Sequence, residues 1–418
     1  MLAGIAGDAA LEALRRAAGR GVGDGGLLWN ASNARRLTET LADLRGAAMK
    51  FGQLLSLPGD DLVPPELAAV LATLRNQADP IPDSEVRSIL EHELGADWSD
   101  LFAEFDFEPL AAASIGQVHA AQTRDGRDVV LKLQYPDVAA SIDGDVDNLG
   151  VLLRLTRLLP QDLDPDELLR ELKRELVRET DYFREASSTE RYRRLVAADS
   201  GVFVPRVHRD LSTRRVLATD RIYGLPIEDL RSPEHPQARR DEMGTRLLRV
   251  VFRELFSFRF MQTDPNFANY LYEPKHERLA LLDFGSARSF PKRFTEAYFR
   301  LIDAIIAGDR TALAEQGERL GFLRGDETRA ARGAFEDLCA LFAEPLCSRG
   351  PYDFARSGLA VRVREQGTQV VSVHRLPRPP MATLFLHRKL AGSFLLCAHI
   401  GASVDCAALY AEFKGGAG

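Results

Sequence analysis

The sequence predicts an α+β protein of two lobes preceded by a helical extension. Three observations predict it. From residue 34 to about 108 apolar residues recur at helical spacing. Between 107 and 136 the texture changes to β-rich runs on either side of an Asp-Gly turn. From about 225 to the end the pattern is helical again, interrupted by short strand signals.

Taken in order, residues 1–18 suit a short helix. "GRGVGDGG" (19–26) reads as a flexible linker, so 1–33 form a flexible N-terminal segment. The helical extension occupies 34–108. Leu37, Leu41, Leu44, Ala48, Phe51 and Leu55 share one helix face, and "PGDDLVPP" stops it. Lys50 and Gln53 sit at the edge of that face, three residues apart. "ELAAVLATLRNQ" gives a second helix, and a third opens at "PDSEVRSILEHELG", with Asp83 or Ser84 as its cap. A small lobe spans 109–224. It holds a hairpin turned at "RDGRD", the run "VVLKLQ" ended by Tyr135-Pro136, and one long helix, "PDELLRELKRELVRETDYFREA" (165–186). Two further strands are expected at "VPRVHRD" and "RRVLATDRIYG". The large helical lobe, 225–418, contains strand signals at "ANYLYE" (268–273) and "RLALLDFG" (278–285).

Composition narrows the function. A net charge of −7 over 418 residues gives no bulk attraction to nucleic acid. The four cysteines (Cys339, Cys347, Cys397 and Cys406) make no disulfide framework, which favours a reducing compartment. The eight histidines form no HxxxH or HExxH, so no zinc site is expected. The N-terminus lacks the pattern of a secretory signal, and residues 1–33 lack that of an Arg-rich presequence. No stretch of about 18 apolar residues predicts a transmembrane helix. The richest run, "MATLFLHRKLAGSFLLCAHIGA" (381–402), is broken by His387, Arg388 and Lys389 and reads as a core helix.

The chemistry concentrates in "FMQTDPNFANYLY" and "LALLDFGSA". Asp264 and Asn269 are five apart, and Asp283 opens a DFG fourteen residues later. Protein kinases use DxxxxN followed by DFG. The first Asp orients the acceptor, while the Asn and the DFG Asp hold Mg²⁺ on the phosphates. Lys132 in "VVLKLQ" suits the strand lysine that meets the α/β-phosphates. On the long helix Leu168, Leu172 and Leu176 mark a buried stripe, and both Glu175 and Glu179 lie near it as candidate partners for that lysine. Three features depart from a phosphorylating protein kinase. "PLAAASIGQVHAA" replaces the glycine-rich loop with Ala111, Ala112, Ala113 and Ser114, and alanine restricts φ where glycine does not. Thr263 stands where an arginine precedes the catalytic Asp, and no APE segment follows the DFG.

"KFGQ", "AAAS", "ETDYFREA", "QTDPNFAN" and "LLDFG", in that order, resemble the UbiB family of atypical kinase-like proteins. "FMQTDPNFANYLY" and "LHRKLAGSFLLC" are similar to its branch that supports coenzyme Q (ubiquinone) biosynthesis. The resemblance runs through nearly the whole chain. It implies an atypical protein-kinase-like bilobal fold with an N-terminal helical KxGQ extension. It implies ATP or ADP and Mg²⁺ as ligands, with Ala111, Ala112, Ala113, Ser114, Lys132, Asp220 and Ile222 binding nucleotide. Lys132, Glu179 and Asp264 would be catalytic, with Glu179 the partner of Lys132. Asn269 and Asp283 would hold the metal. Lys50 and Gln53 would form a regulatory lid tied to Asp181 or Glu185, keeping protein substrates from the γ-phosphate. The expected activity is an Mg²⁺-dependent ATPase or atypical kinase assisting ubiquinone biosynthesis. The alternatives are a small-molecule or lipid kinase and a non-hydrolysing, nucleotide-sensing scaffold. The expected partners are nucleotide, a lipid or quinone precursor and quinone-biosynthesis proteins, without nucleic acid. The expected location is the cytoplasm, with membrane contact limited to the periphery of the inner membrane.

Overall fold

A computed structural model describes residue 50 and residues 81–113, 115–156, 165–374, 376–377 and 380–414. The chain divides into two compact units, one of residues 1–187 with 206–221, the other of 188–205 with 222–418. The helices expected over 34–79 lie outside the described residues, as do Gln53 and Ser114; only Lys50 of the first is described, as helical.

The first unit opens with α1 (Asp83–Leu94). Neither Asp83 nor Ser84 caps it. The Pro82 carbonyl accepts the Glu85 and Val86 N–H groups instead, at 2.9 and 3.1 Å, while Asp83 and Glu85 place negative charge in the first turn. An antiparallel sheet follows, made of β1 (Phe102–Phe105), β2 (Ala111–Ala113), β3 (Gly116–Thr123) and β4 (Asp128–Gln134). The β3–β4 hairpin turns where Asp-Gly predicted it, with Gly126 at φ +85°. Alternation along β4 sends Val129, Leu131 and Leu133 into a core with Val86, Leu90, Trp98 and Phe102, and turns Lys132 to the other face.

The helices α2 (Val138–Thr156), α3 (Pro165–Glu179) and α4 (Tyr182–Leu195) come next. Leu168, Leu172 and Leu176 are buried, as their spacing predicts. The single helix expected over 165–186 is two helices. Thr180 returns its hydroxyl to the Val177 carbonyl at 2.9 Å, and the Asp181 carboxylate accepts the Phe183 N–H at 3.1 Å, so a stop and a new start sit side by side. Beyond β5 (Val202–Phe203), which belongs to the second unit, β6 (Val216–Asp220) pairs with β4 and completes the first unit's sheet in the order β1-β3-β4-β6. The strand expected at "VPRVHRD" does not form. Pro205 has no N–H to donate, and the segment makes only the Val207–Thr219 bridge before a 3₁₀ turn at Arg209–Leu211.

The second unit contains β7 (Leu225–Pro226), α5 (Gln237–Phe252), β8 (Phe260–Gln262), β9 (Tyr270–Glu273), β10 (Arg278–Leu281) and β11 (Ala287–Ser289). A π-helical segment, Arg253–Phe258, continues α5. The sheet order is β5-β10-β9-β7, with β5 parallel to β10, while β8 and β11 pair separately. Helices α6 (Lys292–Ala307), α7 (Arg310–Arg319), α8 (Arg329–Phe342) and α9 (Glu344–Cys347) follow. The chain ends with β12 (Tyr352–Asp353), α10 (Phe354–Ser357), α11 (Leu359–His374), α12 (Met381–Ile400), β13 (Ser403–Val404) and α13 (Cys406–Lys414). One core gathers Leu247, Leu248 and Val251 of α5, Met261 of β8, Phe284, and Leu386, Leu396 and Ile400 of α12. Among the described residues no helix is long and apolar enough to cross a membrane.

Candidate nucleotide site

In the first unit Lys132 lies on a central strand, between Val118 of β3 and Leu217 of β6. Its ammonium donates to both carboxylate oxygens of Glu185, at 3.0 and 2.9 Å, and stands 5.2 Å from the centre of the Tyr182 ring. Glu179, the partner expected for Lys132, receives the ammonium of Lys50. Glu185 thus meets the strand lysine and Glu179 the lysine of the extension, whereas Lys50 was expected on Glu185 or Asp181. Glu179 ends α3 and Glu185 lies on α4, so the two sit on different helices. All four side chains are largely withdrawn from water, at 16% or less of their exposed area, where a lone charge would be costly. Glu175, the other candidate, pairs with Arg178 at 2.8 Å.

The alanine loop is a strand. Ala111, Ala112 and Ala113 pair antiparallel with Val118, Gln117 and Gly116. Gly116 lies hard against Leu133 of β4. The Asp220 carboxylate is engaged within its own unit, 2.8 Å from His208 Nε2 and accepting the Arg206 N–H at 2.9 Å. Asp220 and Ile222 fall in different units. Asp181 caps α4, as described above.

In the second unit the DxxxxN and DFG motifs come together. Asn269 donates its amide N–H to Asp264 Oδ2 at 3.2 Å, and its backbone carbonyl accepts the Leu282 N–H at 3.1 Å, next to Asp283. Asp283 Oδ1 accepts the Gly285 N–H at 2.8 Å. Phe284 is fully buried, 4.6 Å from Tyr192 between ring centroids, which anchors the segment in the core. Thr263, in place of the arginine, donates its hydroxyl to the Ser286 carbonyl at 2.7 Å and so ties the catalytic loop to the segment after DFG. A cation still reaches Asp264: Arg388 of α12 lies 4.0 Å from Oδ1. Sequence reasoning took Arg388 and Lys389 only as interruptions of an apolar run. Both are buried, and charges inside a core helix are the signal that could have found them.

The donors suit Mg²⁺. The Asn269 N–H faces Asp264, which leaves its amide oxygen for a cation, and Asp283 supplies a carboxylate. Among the described residues no group of three His, Cys, Asp or Glu could hold a metal. Two oxygen ligands from protein, with phosphates and water for the rest, is the usual arrangement for this hard cation.

Comparison with known proteins agrees with this architecture. A model of the ABC1 atypical kinase-like domain matches residues 73–317. The chain is 42% identical to atypical kinase COQ8B, mitochondrial, of Rattus norvegicus, over 91% of its own length and 72% of that protein. It is 37% identical to atypical kinase COQ8, mitochondrial, of Saccharomyces cerevisiae (92% and 77%). It is 38% identical to atypical kinase coq-8, mitochondrial, of Caenorhabditis elegans (98% and 55%), so it spans little more than half of that relative. Its fold matches that of Rv3197 from Mycobacterium tuberculosis, solved in complex with erythromycin, with a TM-score of 0.64 and 24% identity over 91% of this chain and 95% of that one. With ordered KxGQ, DxxxxN and DFG motifs on a fold of this kind, the chain belongs to the ABC1 (UbiB) family of atypical kinase-like proteins.

Proposed function

We propose that the chain binds Mg²⁺·ATP and hydrolyses it in support of coenzyme Q biosynthesis, acting on lipid intermediates or on proteins of that pathway. The observation that carries this reading is the Asp264–Asn269 hydrogen bond beside the Asn269–Leu282 backbone bond, because it sets an acceptor-orienting carboxylate and two metal donors into one constellation. The pathway rests on the COQ8 relatives, whose names also place them in mitochondria.

In this reading Lys132, fixed by Glu185, offers positive charge to the α/β-phosphates. Asp264 orients a water or hydroxyl in line with the γ-phosphate. Asn269 and Asp283 hold Mg²⁺, which when bound offsets phosphate charge. Ala111, Ala112, Ala113 and Ser114 line the phosphates, and the Lys50–Glu179 pair keeps bulky protein acceptors away. Membrane contact, in this proposal, is peripheral.

Purified chain with γ-³²P-labelled ATP tests it. Phosphate release abolished by Asp283→Asn is the expected result, and a wild-type chain that binds no ATP would sink the reading. Label appearing on a quinone precursor rather than in water would make the protein a lipid kinase instead. In a deletion strain, wild type should restore quinone levels and Asp283→Asn should not; a deletion with unchanged quinones breaks the pathway assignment.

A further inference from the structure

The second unit buries a polar cluster that the reaction as described does not use. Lys389 of α12 is 1% exposed, and Glu254, in the π-helical segment after α5, is wholly buried. The Lys389 ammonium donates to Gln262 Oε1 at 2.8 Å and to the Tyr270 hydroxyl at 2.9 Å, and lies 3.4 Å from Glu254 Oε2. Glu254 Oε1 accepts the Gln262 N–H and the Tyr192 hydroxyl, both at 2.9 Å. The Tyr270 hydroxyl stands 3.3 Å from Gln262 Oε1, which closes the ring of contacts.

The placement is informative. Gln262 is two residues before Asp264, and Tyr270 directly follows Asn269. One ammonium therefore ties both ends of the loop that carries the acceptor-orienting carboxylate and a metal donor. Its neighbour on the helix, Arg388, reaches Asp264 itself. A buried ion pair adds little to stability over an apolar pair of the same volume, but it fixes geometry, because each member accepts few arrangements. Burial pulls the Lys389 pKa down, but Glu254 and Tyr270 more than offset it, so the ammonium keeps its proton.

We propose that Lys389, with Glu254, is a positioning residue. It sets the separation of Asp264 from Asn269 from inside the core, through Gln262 and Tyr270. Loop geometry in this protein is thereby held from α12 and the π-helical segment as well as by the Thr263–Ser286 bond. This inference rests on the ATP reading above, and the test separates the two.

The test uses the full chain with the paired substitution Lys389→Met and Glu254→Gln, which removes both charges at nearly constant volume. Amide exchange over residues 263–269 without nucleotide reads the tie, and turnover against Mg²⁺ concentration reads its use. The loop should exchange about tenfold faster while α5 and α12 keep their protection. The kcat should fall about tenfold and the Mg²⁺ midpoint should rise, with KM for ATP within about twofold. A folded variant with unchanged loop exchange and unchanged kcat overturns the proposal. Should the pair fail to fold, Tyr270→Phe, which takes one hydroxyl from the far end of the loop, decides by the same two readouts. A wild-type chain without turnover refutes the ATP reading, while loop exchange still decides the tie.

Discussion

At Gly116 the space for a side chain is bounded by backbone, since a Cβ would fall 2.1 Å from the Leu133 carbonyl oxygen. That oxygen belongs to the strand carrying Lys132, so it cannot give way without disturbing the site. Gly116→Ala should cost about 2 kcal/mol or more, read as a lower denaturant midpoint with unchanged slope. The ion pairs yield a second prediction. Glu185→Gln should raise the KM for ATP about tenfold, because it removes the carboxylate that fixes the strand lysine. Glu179→Gln should leave ATP affinity within about twofold and instead loosen the Lys50 contact, seen as label appearing on the protein itself. Equal effects of the two substitutions on KM would contradict this division. The local setting of the candidate residues was legible in the sequence: Lys132 stands on a strand, and Asp264 and Asn269 meet beside Asp283. The pairing of glutamates with lysines was not, because spacing gives the face of a helix and not which distant cation meets it.

Among the elements, α12 shows best what periodicity can and cannot deliver. Its apolar run correctly predicted a core helix, but its charged residues are inside rather than snorkelling outward. His387 lies between the Phe322 and Phe342 rings, at 5.7 and 5.4 Å, with the Tyr298 hydroxyl 2.8 Å from Nε2. Burial pushes its pKa down to about 4. The neutral ring is therefore the form that the fold favours. Its contribution is complete above the unfolded value near 6.5 and is lost as pH falls through the folded value, on the order of 3 kcal/mol in all. Unfolding free energy followed from pH 7 to 4 should drop more steeply in wild type than in His387→Phe, and parallel curves would show the ring titrates normally. The break between α3 and α4 was missed for a related reason. Leucine spacing continues smoothly toward it, and only the Thr180-Asp181 pair, two residues that bond to backbone, marks the interruption.

For the molecule as a whole, the passage from β-rich to mainly helical sequence was readable from texture, because hydrophobic period changes sharply near residue 107 and again after 225. The interleaving of the chain was not. Residues 188–205 leave the first unit and 206–221 return to it, and no local pattern announces that exchange. Ligand linkage gives the test at this scale. Mg²⁺·ATP at about a hundred times its Kd should stabilise the native protein by about 3 kcal/mol, raising Tm by several degrees, and Asp283→Asn should abolish the shift. A Tm indifferent to nucleotide in wild type would count against ATP as the ligand.

The late arrival of β6 also has a consequence in time. On the ribosome, β4 emerges about eighty residues before the strand that pairs with it, so at roughly 5–20 residues per second it waits several seconds with one row of N–H and C=O groups unmatched. A nascent chain halted near residue 200 would present that open edge, with Lys132 on it, to any other extended segment nearby. In truncated forms, amide exchange along β4 should slow only once the 216–220 segment is included.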